Sequence, residues 1–176
     1  MQHQDHVKLI RGGIAAPGGV WADLGSGTGA FTLALADLLG PGAQIYSVDQ
    51  DTRALREQAA AMQARFPAVS IEYRTADFTS KLTLPQLDGV LMANSLHFVR
   101  RKEAVLDLVR AYLRPGGRLI LVEYNADRGN PWVPYPLSYL SWERFSLQHG
   151  FVQTSLLATV PSRFLREIYS ALSFLA

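Results

Sequence analysis

The amino-acid sequence predicts an α/β domain in which a doubly wound, mostly parallel, seven-stranded sheet carries helices on both faces. Up to residue 124, five apolar strand-like segments alternate with segments of helical pattern. After residue 150, two strand-like segments follow one another without a helix between them, so we expect a C-terminal antiparallel hairpin. In such sheets, ligands bind at the carboxyl ends of the parallel strands, near the point where the strand order reverses.

The first half of the chain contains three strand-like and two helical segments. Phe31, Leu35 and Leu38 lie on one stripe of a helix, which Gly40-Pro41-Gly42 ends as a glycine cap followed by proline. A second helix is predicted where Ala, Leu, Arg, Gln and Glu are concentrated, before a turn at Phe66-Pro67. The predicted bounds are strands Val20–Leu24, Gln44–Val48 and Val69–Tyr73 and helices Phe31–Leu39 and Thr52–Ala64.

The second half contains four strand-like and two helical segments. One helix presents Val105, Leu108 and Tyr112 on an apolar face, and Pro115-Gly116-Gly117 breaks it. Apolar and polar residues alternate after Gly150, as in a strand, before Pro161-Ser162 leads to the last strand. The predicted bounds are strands Leu87–Met92, Arg118–Tyr124, Phe151–Val160 and Ile168–Phe174 and helices Arg101–Leu113 and Leu137–His149.

Length, composition and charge indicate one enzyme-sized domain over residues 1–176. The mass is 19.4 kDa and 48% of the residues are hydrophobic, enough for one buried core. The 17 basic and 15 acidic residues are interspersed and give a net charge of +2, so nucleic acid is not the partner that we expect. Residues 1–11 lack the apolar run of a secretion signal or membrane anchor, which favours a cytoplasmic protein without membrane contact.

The sequence contains no cysteine. This excludes disulfides, thiolate metal sites and every mechanism with a cysteine nucleophile, and we expect no bound metal.

Three glycines at two-residue spacing follow the first predicted strand. Glycine at Gly25, Gly27 and Gly29 permits positive φ and a close approach of ligand to backbone, while the N-terminus of the next helix offers unpaired N–H groups. The spacing alone does not separate an S-adenosylmethionine site from an NAD site, because Gly25, Gly27 and Ala30 also satisfy the fingerprint of NAD-binding proteins.

Asp23, two residues before the first glycine, separates these two interpretations. A carboxylate repels the pyrophosphate of a dinucleotide but attracts the ammonium and sulfonium of S-adenosylmethionine. With Asp23, Gly25, Gly27 and Gly29, the chain resembles the class I S-adenosylmethionine-dependent methyltransferases, whose first motif is (D/E)xGxGxG. The resemblance implies a Rossmann-like fold over nearly the whole chain, with S-adenosylmethionine bound by Asp23, Gly25, Ser26, Gly27 and Gly29.

Two further strand ends carry acids that we expect at the cofactor. Asp49 ends the second predicted strand, where either nucleotide family places a ribose-binding acid, and Asp51 suits the cap of the following helix better. Gln50 borders the adenine or is simply exposed. After the third strand, the resemblance places an adenine-binding acid at Asp77, so we assign Ala76, Asp77 and Phe78 to the adenine site; the alternative is an ordinary Asx turn.

The segment Ala93–Phe98 follows the fourth strand and resembles the fourth motif of small-molecule methyltransferases of the quinone-biosynthesis type. The amide of Asn94 is expected to face the methionine end of the cofactor or the acceptor. The one catalytic candidate is His97, whose neutral imidazole takes a proton from an acceptor in one interpretation and is a packed or capping side chain in the other.

The segment Glu123–Pro136 follows the fifth strand and is expected to overhang the reacting methyl group. Its three prolines limit its freedom, and Asn125, Trp132 and Tyr135 are predicted to contact a flat or apolar acceptor. The aromatic residues alternatively plug the cleft or seal a homodimer. Since only about twenty residues precede the first strand, we expect little room for an N-terminal cover.

The sequence thus predicts methyl transfer from S-adenosylmethionine to a small-molecule acceptor. Three alternatives remain at this point: a methyltransferase for RNA or protein, an NAD-dependent oxidoreductase, and a cofactor-binding module without catalysis.

Overall fold

A seven-stranded sheet forms the centre of the computed structural model, which describes all 176 residues. Its strand order is β3-β2-β1-β4-β5-β7-β6; β1 to β5 are mutually parallel, whereas β7 runs antiparallel to both of its neighbours. The strands are β1 Gly19–Leu24, β2 Ala43–Asp49, β3 Ser70–Thr75, β4 Leu87–Ala93, β5 Leu113–Tyr124, β6 Phe151–Pro161 and β7 Glu167–Leu175. The helices are α1 His3–Ile10, α2 Ala30–Leu39, α3 Thr52–Arg65, α4 Glu103–Tyr112 and α5 Tyr139–Gln148.

Each face of the sheet is covered by its own apolar core. Along β5, Ile120 and Val122 belong to one core, while Leu119 and Leu121 belong to the other, as the two-residue period of a strand requires. Buried residues of α1, α2 and α3 join the first core, and those of α4 and α5 join the second. Because the central strands are buried on both faces, they read as nearly continuous apolar runs.

The strand order reverses between β1 and β4. The chain moves from β1 outward to β2 and β3, then returns across β1 to β4 and continues in the other direction. The loops that follow β1 and β4 therefore diverge and leave a crevice at the carboxyl ends of these strands. No helix of the chain has the length and apolar character needed to cross a bilayer.

The predicted fold class is confirmed, including the C-terminal antiparallel pair. Asp51 caps α3, as expected, because its carboxylate accepts hydrogen bonds from the backbone N–H groups of Arg53 and Ala54. Strand β5 begins at Leu113 rather than Arg118, since Leu113 pairs with Leu87 before an irregularity in the register.

The residues before β1 form a short helix that sequence reasoning did not assign, and the expectation of little room for an N-terminal cover stays a prediction. The eight-residue helix α1 packs against α2 and buries Val7, Leu9 and Ile10. A 3₁₀ turn at Arg11–Gly13 then leads toward β1. This helix has too few residues for its apolar period to stand out in the sequence, and its stability comes from tertiary packing.

Candidate functional site

The glycine turn after β1 has the conformation that its sequence predicts. Gly25, Gly27 and Gly29 have φ angles of 79°, 53° and 87°. A Cβ at Gly25 would lie 2.4 Å from the Cβ of Ser95, so no other residue fits there. Around Gly27, no atom lies within 4 Å of a Cβ position, and this open side lets a ligand approach the backbone. Gly29 starts α2 and makes room for Gln58 instead.

A cavity at the strand ends, which we call the Asp49 cavity, has a volume of about 450 Å³. It brings together eight of the residues predicted to bind the cofactor: Gly25, Gly27, Asp49, Gln50, Ala76, Asp77, Phe78 and Asn94. These residues come from the ends of four different strands, and the sheet topology alone makes them neighbours.

The carboxylates in this cavity are already held by the backbone. Asp49 Oδ2 accepts the N–H of Gly27 at 2.7 Å, and its Oδ1 accepts the N–H of Asp51 at 2.9 Å. Asp77 Oδ1 accepts both the N–H and the hydroxyl of Thr79, at 2.8 and 2.7 Å, and therefore forms an Asx turn while lining the cavity. Each carboxylate retains lone pairs that can accept further hydrogen bonds.

An adjoining cavity of about 260 Å³, the Asp23 cavity, lies beside the glycine turn. Asp23 is 1% exposed; its Oδ2 accepts the hydroxyl of Thr32 at 2.6 Å, while Oδ1 is buried without a hydrogen-bond partner. Burial raises the pKa of Asp23 to about 7, the Thr32 hydrogen bond opposes this rise, and the charge of Asp49 adds to it. No positively charged side chain of the protein pairs with the Asp23 carboxylate. Ser26 and Asn94 line the same cavity.

Asn94 connects the Asp49 and Asp23 cavities. Its backbone has a φ of 53°, an uncommon conformation for a residue with a side chain, and its N–H is bonded to Val122 O at 2.8 Å. The side-chain Oδ1 is buried without a partner.

A third cavity, the Phe164 cavity, also begins at Asn94 and has a volume of about 450 Å³. Tyr124 and Phe164 form part of its wall, with ring centroids 6.5 Å apart in an edge-to-face arrangement. Sequence reasoning missed this wall, whose further members are Met1, Pro161, Ser162, Arg163 and Ile168. Ile168 pairs with Tyr124, so the antiparallel register brings the turn between β6 and β7 to the carboxyl end of β5.

His97 has a partner that sequence reasoning did not identify. Its Nδ1 lies 2.9 Å from Oε1 and 3.1 Å from Oε2 of Glu123, which is fully buried and also accepts the backbone N–H groups of His97 and Tyr124. A carboxylate at Nδ1 favours the tautomer with the proton on that atom, which leaves a lone pair on Nε2. The signal in the sequence was the acid at the end of an otherwise apolar strand.

The buried His97 ring lines none of the three cavities but packs against one lining residue of each of two. Its centroid is 4.2 Å from that of Phe98, which lines the Asp49 cavity, and 5.5 Å from that of Tyr124, which lines the Phe164 cavity.

The structure does not bring Asn125, Trp132 and Tyr135 to these cavities. The amide of Asn125 braces the segment, donating to Glu167 and accepting from the Tyr139 N–H. The Trp132 side chain is 69% exposed. Tyr135 lies at a separate cavity, where its carbonyl accepts a hydrogen bond from Lys102 and its N–H donates to His97 O. Their contact with an acceptor stays a prediction.

The site has the features of a class I methyltransferase: a glycine turn, acids at three strand ends and a C-terminal antiparallel pair of strands. A family model described as a methyltransferase domain matches residues 22–119, more than half of the chain. The chain belongs to this methyltransferase domain family, which confirms the resemblance seen in the first motif and does not favour the NAD-dependent alternative.

Among curated proteins, the ubiquinone/menaquinone biosynthesis C-methyltransferase UbiE of Ectopseudomonas mendocina is 31% identical over 117 residues, 65% of this chain and 45% of that protein. The hybrid PKS-NRPS synthetase apdA of Emericella nidulans is 26% identical over 161 residues, 77% of this chain and 4% of that protein. The chain thus spans about half the length of the UbiE relatives it matches.

Among solved structures, a SAM dependent methyltransferase from Aquifex aeolicus has a TM-score of 0.76 at 16% identity, covering 98% of this chain and 90% of the other. The CurJ carbon methyltransferase has a TM-score of 0.74 at 20% identity, covering 95% and 51%. These similarities establish the fold.

The raised pKa of Asp23 predicts a pH-dependent stability difference. Below pH 3.8 the Asp23 carboxyl is protonated in both the folded and the unfolded chain. Between pH 3.8 and about 7 it ionises only in the unfolded chain, so the contribution of Asp23 to the free energy of unfolding falls by about 1.4 kcal/mol per pH unit. The free energy of unfolding of Asp23→Asn should therefore rise relative to the wild type between pH 4 and 7 in urea titrations. Asp107→Asn, an exposed control, should follow the wild-type curve. Parallel curves for Asp23→Asn and the wild type would contradict a raised pKa for the buried Asp23.

Proposed function

We propose that the protein transfers the methyl group of S-adenosylmethionine to a carbon atom of a small-molecule acceptor. The observation that carries the proposal is the pair of buried, unpartnered oxygens, Asp23 Oδ1 and Asn94 Oδ1, on one cavity beside the glycine turn. Two oxygen acceptors, one of them on a carboxylate, fit an ammonium group and disfavour the phosphates of a dinucleotide.

The adenosine part fits the Asp49 cavity. Asp49 has free lone pairs on both oxygens for the ribose hydroxyls, even though each oxygen already accepts one backbone N–H. We assign the adenine to the side of the cavity formed by Gln50, Ala76, Asp77 and Phe78, where a carboxylate can accept from an amino group and a ring can stack.

The acceptor fits the Phe164 cavity, which meets the cofactor cavities at Asn94. A volume of about 450 Å³ with two aromatic walls suits a small, flat molecule better than an RNA or protein surface. Arg163 has no carboxylate partner within the chain and can receive an anionic or hydroxyl substituent. The relatives named as C-methyltransferases support carbon as the methylated atom. A cytoplasmic location and a homodimer stay predictions from the sequence.

Bound S-adenosylmethionine supplies an electrophilic methyl group on a sulfonium, which is transferred as the acceptor attacks it. The chain must align the two molecules, exclude water and, for a carbon acceptor, accept the proton that carbon loses. We assign this proton to Nε2 of His97, with Glu123 orienting the ring and compensating the positive charge that forms.

Asp49→Ala should weaken S-adenosylhomocysteine binding by roughly tenfold or more, because each charge-assisted ribose bond contributes about 1.5–3 kcal/mol. Asp51→Ala is the matched control: it removes the cap of α3 two residues away and should lower stability without changing the affinity. Isothermal titration calorimetry measures the dissociation constant of S-adenosylhomocysteine for both variants. Absence of S-adenosylhomocysteine binding to the wild type would contradict the proposed function, and equal affinities of all three proteins would remove Asp49 from the site.

Glu123→Gln should lower kcat by roughly tenfold or more while leaving the affinity for S-adenosylhomocysteine within about twofold, because the amide no longer holds the His97 proton on Nδ1. Transfer of a radiolabelled methyl group to a panel of quinols and other carbon nucleophiles measures the rate. If kcat is unchanged in a folded Glu123→Gln variant, His97 is a packed side chain and not the base.

Phe164→Ala should raise the KM for the acceptor several-fold without affecting the cofactor, because it removes one wall of the proposed acceptor cavity. Trp132→Ala truncates a similarly exposed aromatic residue in the segment that the sequence favoured, and it should be silent if the acceptor occupies the Phe164 cavity. The reverse pattern, with Trp132→Ala raising the KM and Phe164→Ala silent, would return the acceptor to the segment Glu123–Pro136.

A further inference from the structure

Unpartnered polar atoms concentrate at one place in this protein. Five buried side-chain nitrogen or oxygen atoms lack a hydrogen-bond partner, and three of them belong to residues that line the Asp23 cavity: His6 Nδ1, Asp23 Oδ1 and Asn94 Oδ1. Each such atom costs free energy unless a partner arrives. A cluster of three on one cavity indicates a ligand with several complementary polar groups.

His6 reaches this cavity from α1, and packing holds it there. The residue is 9% exposed, and its ring meets the ring of Phe31 edge-on at 4.7 Å between centroids. Its helix neighbours Val7 and Ile10 are buried in the core on that face of the sheet. The packing of α1 against α2 therefore keeps the imidazole at this cavity.

The charges around His6 leave its ring without an anionic partner. Burial is the largest cause of its lowered pKa; the amino group of Met1 and the ring of His3 lower it further, and Asp5 opposes them. A carboxylate placed against the ring would raise the pKa of His6 again, since it favours the protonated imidazole.

We propose that His6 binds the carboxylate of the amino-acid end of S-adenosylmethionine, while Asp23 and Asn94 accept from its ammonium. This inference rests on the proposed function. The three side chains match a zwitterion: an imidazole that donates through Nδ1–H lies on the same cavity as two oxygens that accept. Helix α1 is thereby part of the cofactor site and covers its amino-acid end.

The test compares S-adenosylhomocysteine with 5′-methylthioadenosine, which keeps the adenosine and thioether but lacks the amino-acid end. His6→Phe preserves the aromatic contact with Phe31 and removes both ring nitrogens, whereas His6→Asn keeps a donor near the Nδ1 position. His3→Phe is the matched control, because His3 lies on the same helix and pairs with Asp37 outside the cavity. Calorimetry gives the dissociation constant of each ligand for each variant.

We expect His6→Phe to weaken S-adenosylhomocysteine roughly tenfold and 5′-methylthioadenosine less than twofold, with His6→Asn intermediate and His3→Phe like the wild type. Equal weakening of both ligands, or no weakening of either, would overturn the role of His6 while leaving the proposed function intact. Failure of the wild type to bind S-adenosylhomocysteine would instead overturn the proposed function, and this inference with it.

Discussion

The buried carboxylate of Asp23 is the constraint around which the site is organised. A pKa near 7 for an aspartate means that its ionisation in the folded chain costs on the order of 4 kcal/mol relative to water. A fold retains such a group at low cost only when a ligand or partner compensates the charge. Thr32 satisfies one oxygen, and the second oxygen has no hydrogen-bond partner within the chain.

The sheet explains why the other groups collect around Asp23. Because β1 lies between β2 and β4, the residues that follow these three strands meet above its carboxyl end. Gly25 lets the turn pass against Ser95, and Asn94 adopts a strained backbone conformation at the meeting point of all three cavities. The cavities proposed for cofactor and acceptor thus meet at Asn94, which is the arrangement that direct transfer between two bound molecules needs.

The sequence allowed the strand-based part of this site to be predicted, because each residue there directly follows an apolar strand. The glycine turn and Asp49 were found this way, since parallel strands place their carboxyl ends on one edge, whereas Asp77 was assigned from the resemblance to the family. The Glu123 partner of His97 and the Phe164 wall depend on register between strands far apart in the chain, which no local pattern encodes. Helix α1 was missed because its stability comes from α2, and His6 was missed with it.

A crystal structure with S-adenosylhomocysteine would test the central claim, that the unpartnered groups beside the glycine turn bind the amino-acid end of the cofactor. We expect ribose hydroxyls on Asp49 and an ammonium within hydrogen-bond distance of Asp23 or Asn94. An amino-acid end lying in the Phe164 cavity, with the Asp23 oxygen still unpartnered, would contradict it.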